Sequence, residues 1–89
     1  MSVKRSLGVR IDLKAIGRRI REIRGFELTQ AEFAKKLGVG QTQLSKLELG
    51  QSAPTLEILV KLNALSANKG LDWIVYGHSS ERVNGTGET

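Results

Sequence analysis

Gln30-Ala31-Glu32-Phe33-Ala34-Lys35-Lys36-Leu37-Gly38-Val39-Gly40-Gln41-Thr42-Gln43-Leu44-Ser45-Lys46-Leu47-Glu48-Leu49 is the stretch that decides the fold. Thr29 stands just before it, and Thr29 with Glu32 makes a capping box. The Thr29 hydroxyl can accept from an early helix N–H, and the Glu32 carboxylate can reach back to the Thr29 N–H. A helix therefore runs from about Gln30 to Leu37 and buries Phe33, Ala34 and Leu37. Gly38 suits a left-handed residue just past a helix end. A second helix fits Gln41 to Leu49, with Leu44 and Leu47 inward and Gly50 closing it. Two short helices joined by a glycine turn must cross steeply. Ala34 is small where they would approach, and Val39 can plug the corner from inside. The outward positions of the second helix are then Gln41, Thr42, Gln43, Ser45 and Lys46. None is bulky and apolar, and none is acidic.

Upstream, Leu13, Ile16, Ile20 and Ile23 step by three, four and three, one stripe of a helix that Gly25 ends. Val9 to Leu13 alternates enough for a short strand but is too brief to require one. Downstream, Gln51 to Pro54 is a loop, and Thr55 is a natural N-cap for a helix from Leu56 to about Leu65. That helix is apolar on more than one side, so it is either central in the core or shared with a partner. Ser66 to Gly70 is a polar connection, and Leu71 to Tyr76 a short helix ending at Gly77. The expectation is an all-α domain of five helices over residues 13–77. A basic arm precedes it at 1–12, and a polar tail without periodicity follows at 78–89.

An 89-residue chain holds one domain with one modest core. Without cysteine, disulfides, thiolate zinc sites and Cys nucleophiles are excluded. Positive residues near Met1 are followed by no apolar run, so the sequence offers no signal peptide or membrane helix, and a cytoplasmic protein is expected. His78 has no second ligand near it, so metal binding is not expected. No carboxylate pair, nucleophile–base arrangement or phosphate-cradling glycine loop stands out, so neither an enzyme nor a cofactor is expected. The net charge is +5 and it is segregated. Eleven Lys or Arg face five Asp or Glu through Leu49, against three and four afterwards. A basic half suits a polyanion, because neutralised phosphates release counterions.

The outward face of the Gln41 helix carries the chemistry of base recognition. A Gln amide can pair with adenine through two hydrogen bonds, Thr can bond a base or touch a thymine methyl, and Lys can reach guanine or phosphate. Residues near the start of such a helix enter the groove first, which selects Gln41 and Thr42, with Lys46 one turn later. Gln43 and Ser45 face either bases or the phosphate backbone. Lys35 and Lys36 suit solvent or phosphate, and Lys4, Arg5 and Arg10 a solvated arm rather than a minor-groove reader.

Gln30 to Gly50 with its flanking helices resembles the lambda-repressor-like family of Cro and phage-repressor (XRE-type) helix-turn-helix domains. Thr29 to Val39 carries the resemblance most specifically. Leu44-Ser45-Lys46-Leu47-Glu48-Leu49-Gly50, Pro54-Thr55-Leu56-Glu57 and Leu71-Asp72-Trp73-Ile74 before Gly77 continue it. The resemblance implies a DNA-binding transcriptional regulator. It implies that Gln30 contacts a phosphate and braces the recognition helix, that Gln41, Thr42 and Lys46 meet bases, and that Gln51 and Ser52 meet the backbone. It also implies that Glu48 pairs with a basic residue of the first helix. Two departures are Gly40, where relatives often have a Ser or Thr cap, and Leu49, where a polar residue is common.

A single such domain makes few base contacts, so a homodimer on a near-palindromic operator is expected, and the resemblance implies a repressor. Leu65, Leu71, Trp73, Val75 and Tyr76 would form the dimer surface, although Trp73 and Tyr76 also suit core and rim. A second reading is an antitoxin-type protein that binds a toxin partner and its own operator. A third is the DNA-binding part of a larger repressor, for whose self-cleaving domain the 12 residues after Gly77 leave no room.

Overall fold

The computed structural model describes residues 11–78. Five helices follow one another: α1 (Leu13–Arg24), α2 (Gln30–Leu37), α3 (Gln41–Glu48), α4 (Leu56–Leu65) and α5 (Leu71–Tyr76). No strand occurs among the described residues. The arm expected over 1–10 and the tail over 79–89 lie outside them, as do Val9 and Arg10 of the possible strand. Asp12, read above as the last residue of the arm, is the N-cap of α1.

Three helices start where the sequence supplies an oxygen for their first free N–H groups. Asp12 Oδ1 accepts from the N–H groups of Lys14 and Ala15, both at 3.1 Å. Thr29 Oγ1 accepts from the Glu32 N–H at 3.1 Å, while Glu32 Oε1 accepts from the Thr29 N–H at 2.9 Å, which completes the capping box. Thr55 Oγ1 accepts from the Ile58 N–H at 3.2 Å. Helix α3 has only Gly40 before it and no side-chain cap. Gly40 has ordinary extended dihedrals, and a Cβ added there meets nothing within 4 Å. Gly40→Ser is therefore expected to stabilise the domain by about 0.5–1 kcal/mol, adding a cap and removing unfolded-state freedom. A urea titration at constant slope would measure it.

Every helix places side chains in one core. Ile16 and Ile20 come from α1, Phe33, Ala34 and Leu37 from α2, Leu44 and Leu47 from α3, Ile58 and Leu62 from α4, and Ile74 from α5. Leu13, Ile23, Leu28, Val39, Leu59, Trp73 and Val75 pack around them. Helix α4 divides its apolar residues: Ile58 and Leu62 are buried, whereas Leu56 and Val60 are exposed. The turn between α2 and α3 depends on Gly38, whose left-handed backbone (φ 75°, ψ 29°) lets the chain leave α2 sharply. Its N–H and that of Val39 donate back to the Lys35 and Ala34 carbonyls, so Val39 is turned onto the core.

Two cations close the ends of helices from a distance. The Arg19 guanidinium donates from Nη1 to the Ile74 and Val75 carbonyls at 3.0 and 3.1 Å, which ties α5 to α1. Lys61 Nζ donates to the Leu37 carbonyl at 3.2 Å and lies 3.4 Å from Glu57. A positive charge there satisfies a free carbonyl and opposes the negative end of the helix dipole.

Candidate nucleic-acid interface

Burial of Leu44 and Leu47 fixes which way α3 is turned. Gln41, Thr42, Gln43 and Lys46 are consequently exposed, and Ser45 is half-buried. The last turn of α3 closes through Gly50, and the Gln51 N–H donates to the Lys46 carbonyl at 2.9 Å. That closure folds Gln51 back beside the helix. Gln30, Gln41, Thr42, Ser45, Lys46 and Gln51 line one shallow surface recess. The fold thus brings together six of the residues selected from the sequence. Gln43, Lys35 and Ser52 do not line this recess. Gln43 and Lys35 are exposed, on α3 and on the last turn of α2, and Ser52 is half-buried in the following loop.

The only acid on α3 is Glu48, and it is 4% exposed. Its carboxylate accepts from Arg24 Nε at 2.8 Å, from Arg24 Nη2 at 3.0 Å and from Gln30 Nε2 at 3.0 Å. A forked guanidinium and an amide thus converge on one buried carboxylate, so no acidic side chain of α3 faces the solvent side. The hydrogen bond to Glu48 holds the Arg24 guanidinium above its already high pKa. Burial opposes that shift and Coulombic attraction to Glu48 adds to it. Arg24 also donates from Nη1 to the Leu28 carbonyl at 3.2 Å, binding the α1–α2 loop to the same cluster. Gln30 continues outward: its Oε1 accepts from Gln41 Nε2 at 3.5 Å, the outer limit of a hydrogen bond. Gln30 thus connects the start of α2 to both ends of α3, and the partner of Glu48 in the first helix is Arg24.

Among the residues of the expected dimer surface, Leu65, Leu71 and Tyr76 are exposed, and Trp73 and Val75 are half-buried against the core. Lys69 Nζ lies 4.4 Å from the centre of the Trp73 ring. Leu49 is exposed beside the α3 terminus. Sequence reasoning missed Arg19, whose partners are carbonyls more than fifty residues away. It also missed Gly17, because a glycine within a helical stripe gives no sign of what packs on it. No group of three or more His, Cys, Asp or Glu among the described residues could hold a metal ion. Among those residues, no helix is long and apolar enough to cross a membrane.

A family model described as helix-turn-helix matches residues 18–65, more than half of the chain. The match runs from within α1 to the last residue of α4 and includes the whole recess described above. No curated protein and no solved structure matches the chain. The matched family is one of DNA-binding, non-catalytic domains. By this match and by its five-helix architecture, the chain belongs to the helix-turn-helix family of lambda-repressor-like, XRE-type DNA-binding domains.

Proposed function

We propose that the protein is a sequence-specific transcriptional repressor that acts in the cytoplasm as a homodimer on a near-palindromic operator. The observation that carries this reading is the recess of Gln30, Gln41, Thr42, Ser45, Lys46 and Gln51, polar or cationic throughout and free of exposed acids. In this reading α3 lies in the major groove. Gln41, Thr42 and Lys46 meet base edges, Gln43 and Ser45 lie at the margin, and Gln30, Gln51, Ser52 and Lys35 face phosphates. Exposed Leu65, Leu71 and Tyr76, with the half-buried Trp73 and Val75, support a self-complementary surface on α4 and α5. Two-fold symmetry would then set two α3 helices about one DNA turn, roughly 34–36 Å, apart.

Selection from a random duplex pool, followed by a salt titration of the winner, tests the reading. A near-palindromic winner bound by two chains is the expected result, with log affinity falling by about 0.9 per phosphate contact per unit of log salt. Absence of any enriched sequence would overturn it. Gln41→Ala is expected to cost about 1–3 kcal/mol per half-site and to relax preference at one base pair. Competition binding against the four variants of each position would show that loss.

The exposed Leu56 and Val60 of α4 support a second reading, the antitoxin-type protein with a toxin partner. These two residues lie outside the set assigned to the dimer. Co-purification of one stoichiometric partner that leaves the dimer intact would favour it.

A further inference from the structure

We propose that the exposed face of α1 and the loop after it form a docking surface for an acidic helix of a partner protein. Carboxylates of that helix meet Arg18 and Arg21, and one of its apolar side chains covers Phe26. The inference is independent of the reading of α3, because this surface and the recess at α3 share no residue.

Phe26 is the most exposed of the large apolar side chains among the described residues. Ile23 and Leu28, on either side of it in the chain, pack against the core. Gly25 makes the difference. Its backbone (φ 73°, ψ −167°) is one that residues with a side chain rarely adopt, and it turns the chain away as α1 ends. The loop that displays Phe26 is held on both sides. The Gly25 N–H donates to the Arg21 carbonyl at 3.0 Å, Arg24 Nη1 donates to the Leu28 carbonyl at 3.2 Å, and the capping box follows at Thr29. The ring is therefore presented from a fixed loop, and a partner that covers it gains the transfer free energy of a phenylalanine without first ordering the segment.

Beside the ring lies unmatched charge. Arg18 and Arg21 stand three residues apart on one exposed face of α1. Neither makes an ion pair with another described residue, although Glu22 is four residues from Arg18. Arg24 is engaged by Glu48 instead. Arg18, Arg21 and Phe26 line one open recess with Glu22, Arg24 and Gly25. A free guanidinium presents paired donors that match a carboxylate. The two forks are separated by roughly 4.5 Å along the axis of α1, so they suit two acids one turn apart on a partner helix. A bulky apolar residue on the next turn of that helix reaches Phe26. Nucleic acid fits less well. A phosphate chain would meet the exposed Glu22 carboxylate within the recess, whereas a polypeptide can answer both signs of charge.

The test adds to the full chain a synthetic helical peptide that carries Glu, Glu and Leu at positions i, i+3 and i+7, and follows the amide NMR shifts of the protein. Saturable shifts confined to the second half of α1 and the loop through Leu28 are expected, and none with a peptide of the same composition in scrambled order. Phe26→Ser is expected to weaken binding about tenfold or more, since the complex would cover the ring. The double variant Arg18→Glu/Arg21→Glu should lose this peptide and bind one with Lys in place of both Glu. All three side chains are exposed, so both variants should fold, as circular dichroism would show. If the charge-reversed variant does not fold, Phe26→Ser and the scrambled peptide decide the matter. Absence of saturable shifts, equal binding of ordered and scrambled peptides, or no loss in Phe26→Ser would overturn the proposal. Tighter binding of a single-stranded oligothymidine at the same amides would also overturn it, and would assign the surface to nucleic acid. Phe26→Ser should bind the selected duplex as the parent does, so failure of the docking surface leaves the operator reading standing.

Discussion

Gly17→Ala is expected to cost about 3 kcal/mol or more and to lower the melting midpoint by roughly 12–24 °C. Helix propensity alone predicts the opposite, since Ala in a helix interior is favoured over Gly by about 1 kcal/mol. Packing decides the sign. Gly17 lies in α1 where the end of α3 crosses it. A Cβ there would come within 2.7 Å of the Leu47 carbonyl oxygen and 2.8 Å of the Glu48 carbonyl carbon, and nearer still to the Glu48 oxygen. All three are backbone atoms of a helix anchored by Leu44 and Leu47, so no rotamer change can relieve the contact. Either α1 and α3 separate, opening the core around Ile16 and Ile20, or the domain unfolds. A domain of this size has about 5 kcal/mol in hand. Thermal unfolding followed by circular dichroism would check the prediction, and a midpoint at or above that of the parent would show that the crossing yields. DNA affinity should fall with the folded fraction, because the same crossing orients α3.

Arg24→Ala is the second large effect, expected at about 3 kcal/mol. Loss of one partner from a buried ion pair costs roughly 3–5 kcal/mol, mostly because the other charge stays buried. The lower end applies because the Arg24 side chain is 21% exposed, so water screens part of the pair, while that of Glu48 is only 2% exposed. The Arg24→Met/Glu48→Met double variant should recover most of the loss. A double-mutant cycle in urea would measure the difference; equal losses in the single and double variants would show that packing of the Arg24 stem, not charge, matters. The dependence on pH has a definite sign. Arg24 is held above its ordinary pKa. A base raised in the folded state contributes fully below its unfolded pKa and loses that contribution only as pH rises through the folded value. The Arg24 contribution should therefore be flat from about pH 7 to 10 and decline only in strong alkali.

Much of the molecule could be read along the chain because its signals are local. The capping box at Thr29 and Glu32, Thr55 before α4, and the glycines after α1, α2 and α5 act within one helical turn, and the helices begin and end there. The leucine spacing of Leu44 and Leu47 likewise fixed which side of α3 faces outward, and so all six recess residues follow from spacing or from the family resemblance. Helix α3 ends one residue before the expected Leu49, which caps it.

Other features depend on which distant atoms meet, and hydrophobicity does not reveal that. Phe33 is 1% exposed and Phe26, seven residues earlier, is fully exposed, yet nothing in residue type separates them. Arg19 and Arg24 both look like solvated positions of a basic helix. One holds the end of α5, and the other holds the carboxylate that fixes Gln30. By itself the sequence determined the helices, their order and the polar face of α3, because caps, turns and periodicity are settled by neighbours within a few residues. Only the tertiary structure decided that α1 passes close enough to α3 to require Gly17, and that Arg24, of the several basic residues of α1, meets the buried Glu48 beside Gln30. Those facts arise from packing between residues about 20 to 30 positions apart, where spacing along the chain carries no distance information.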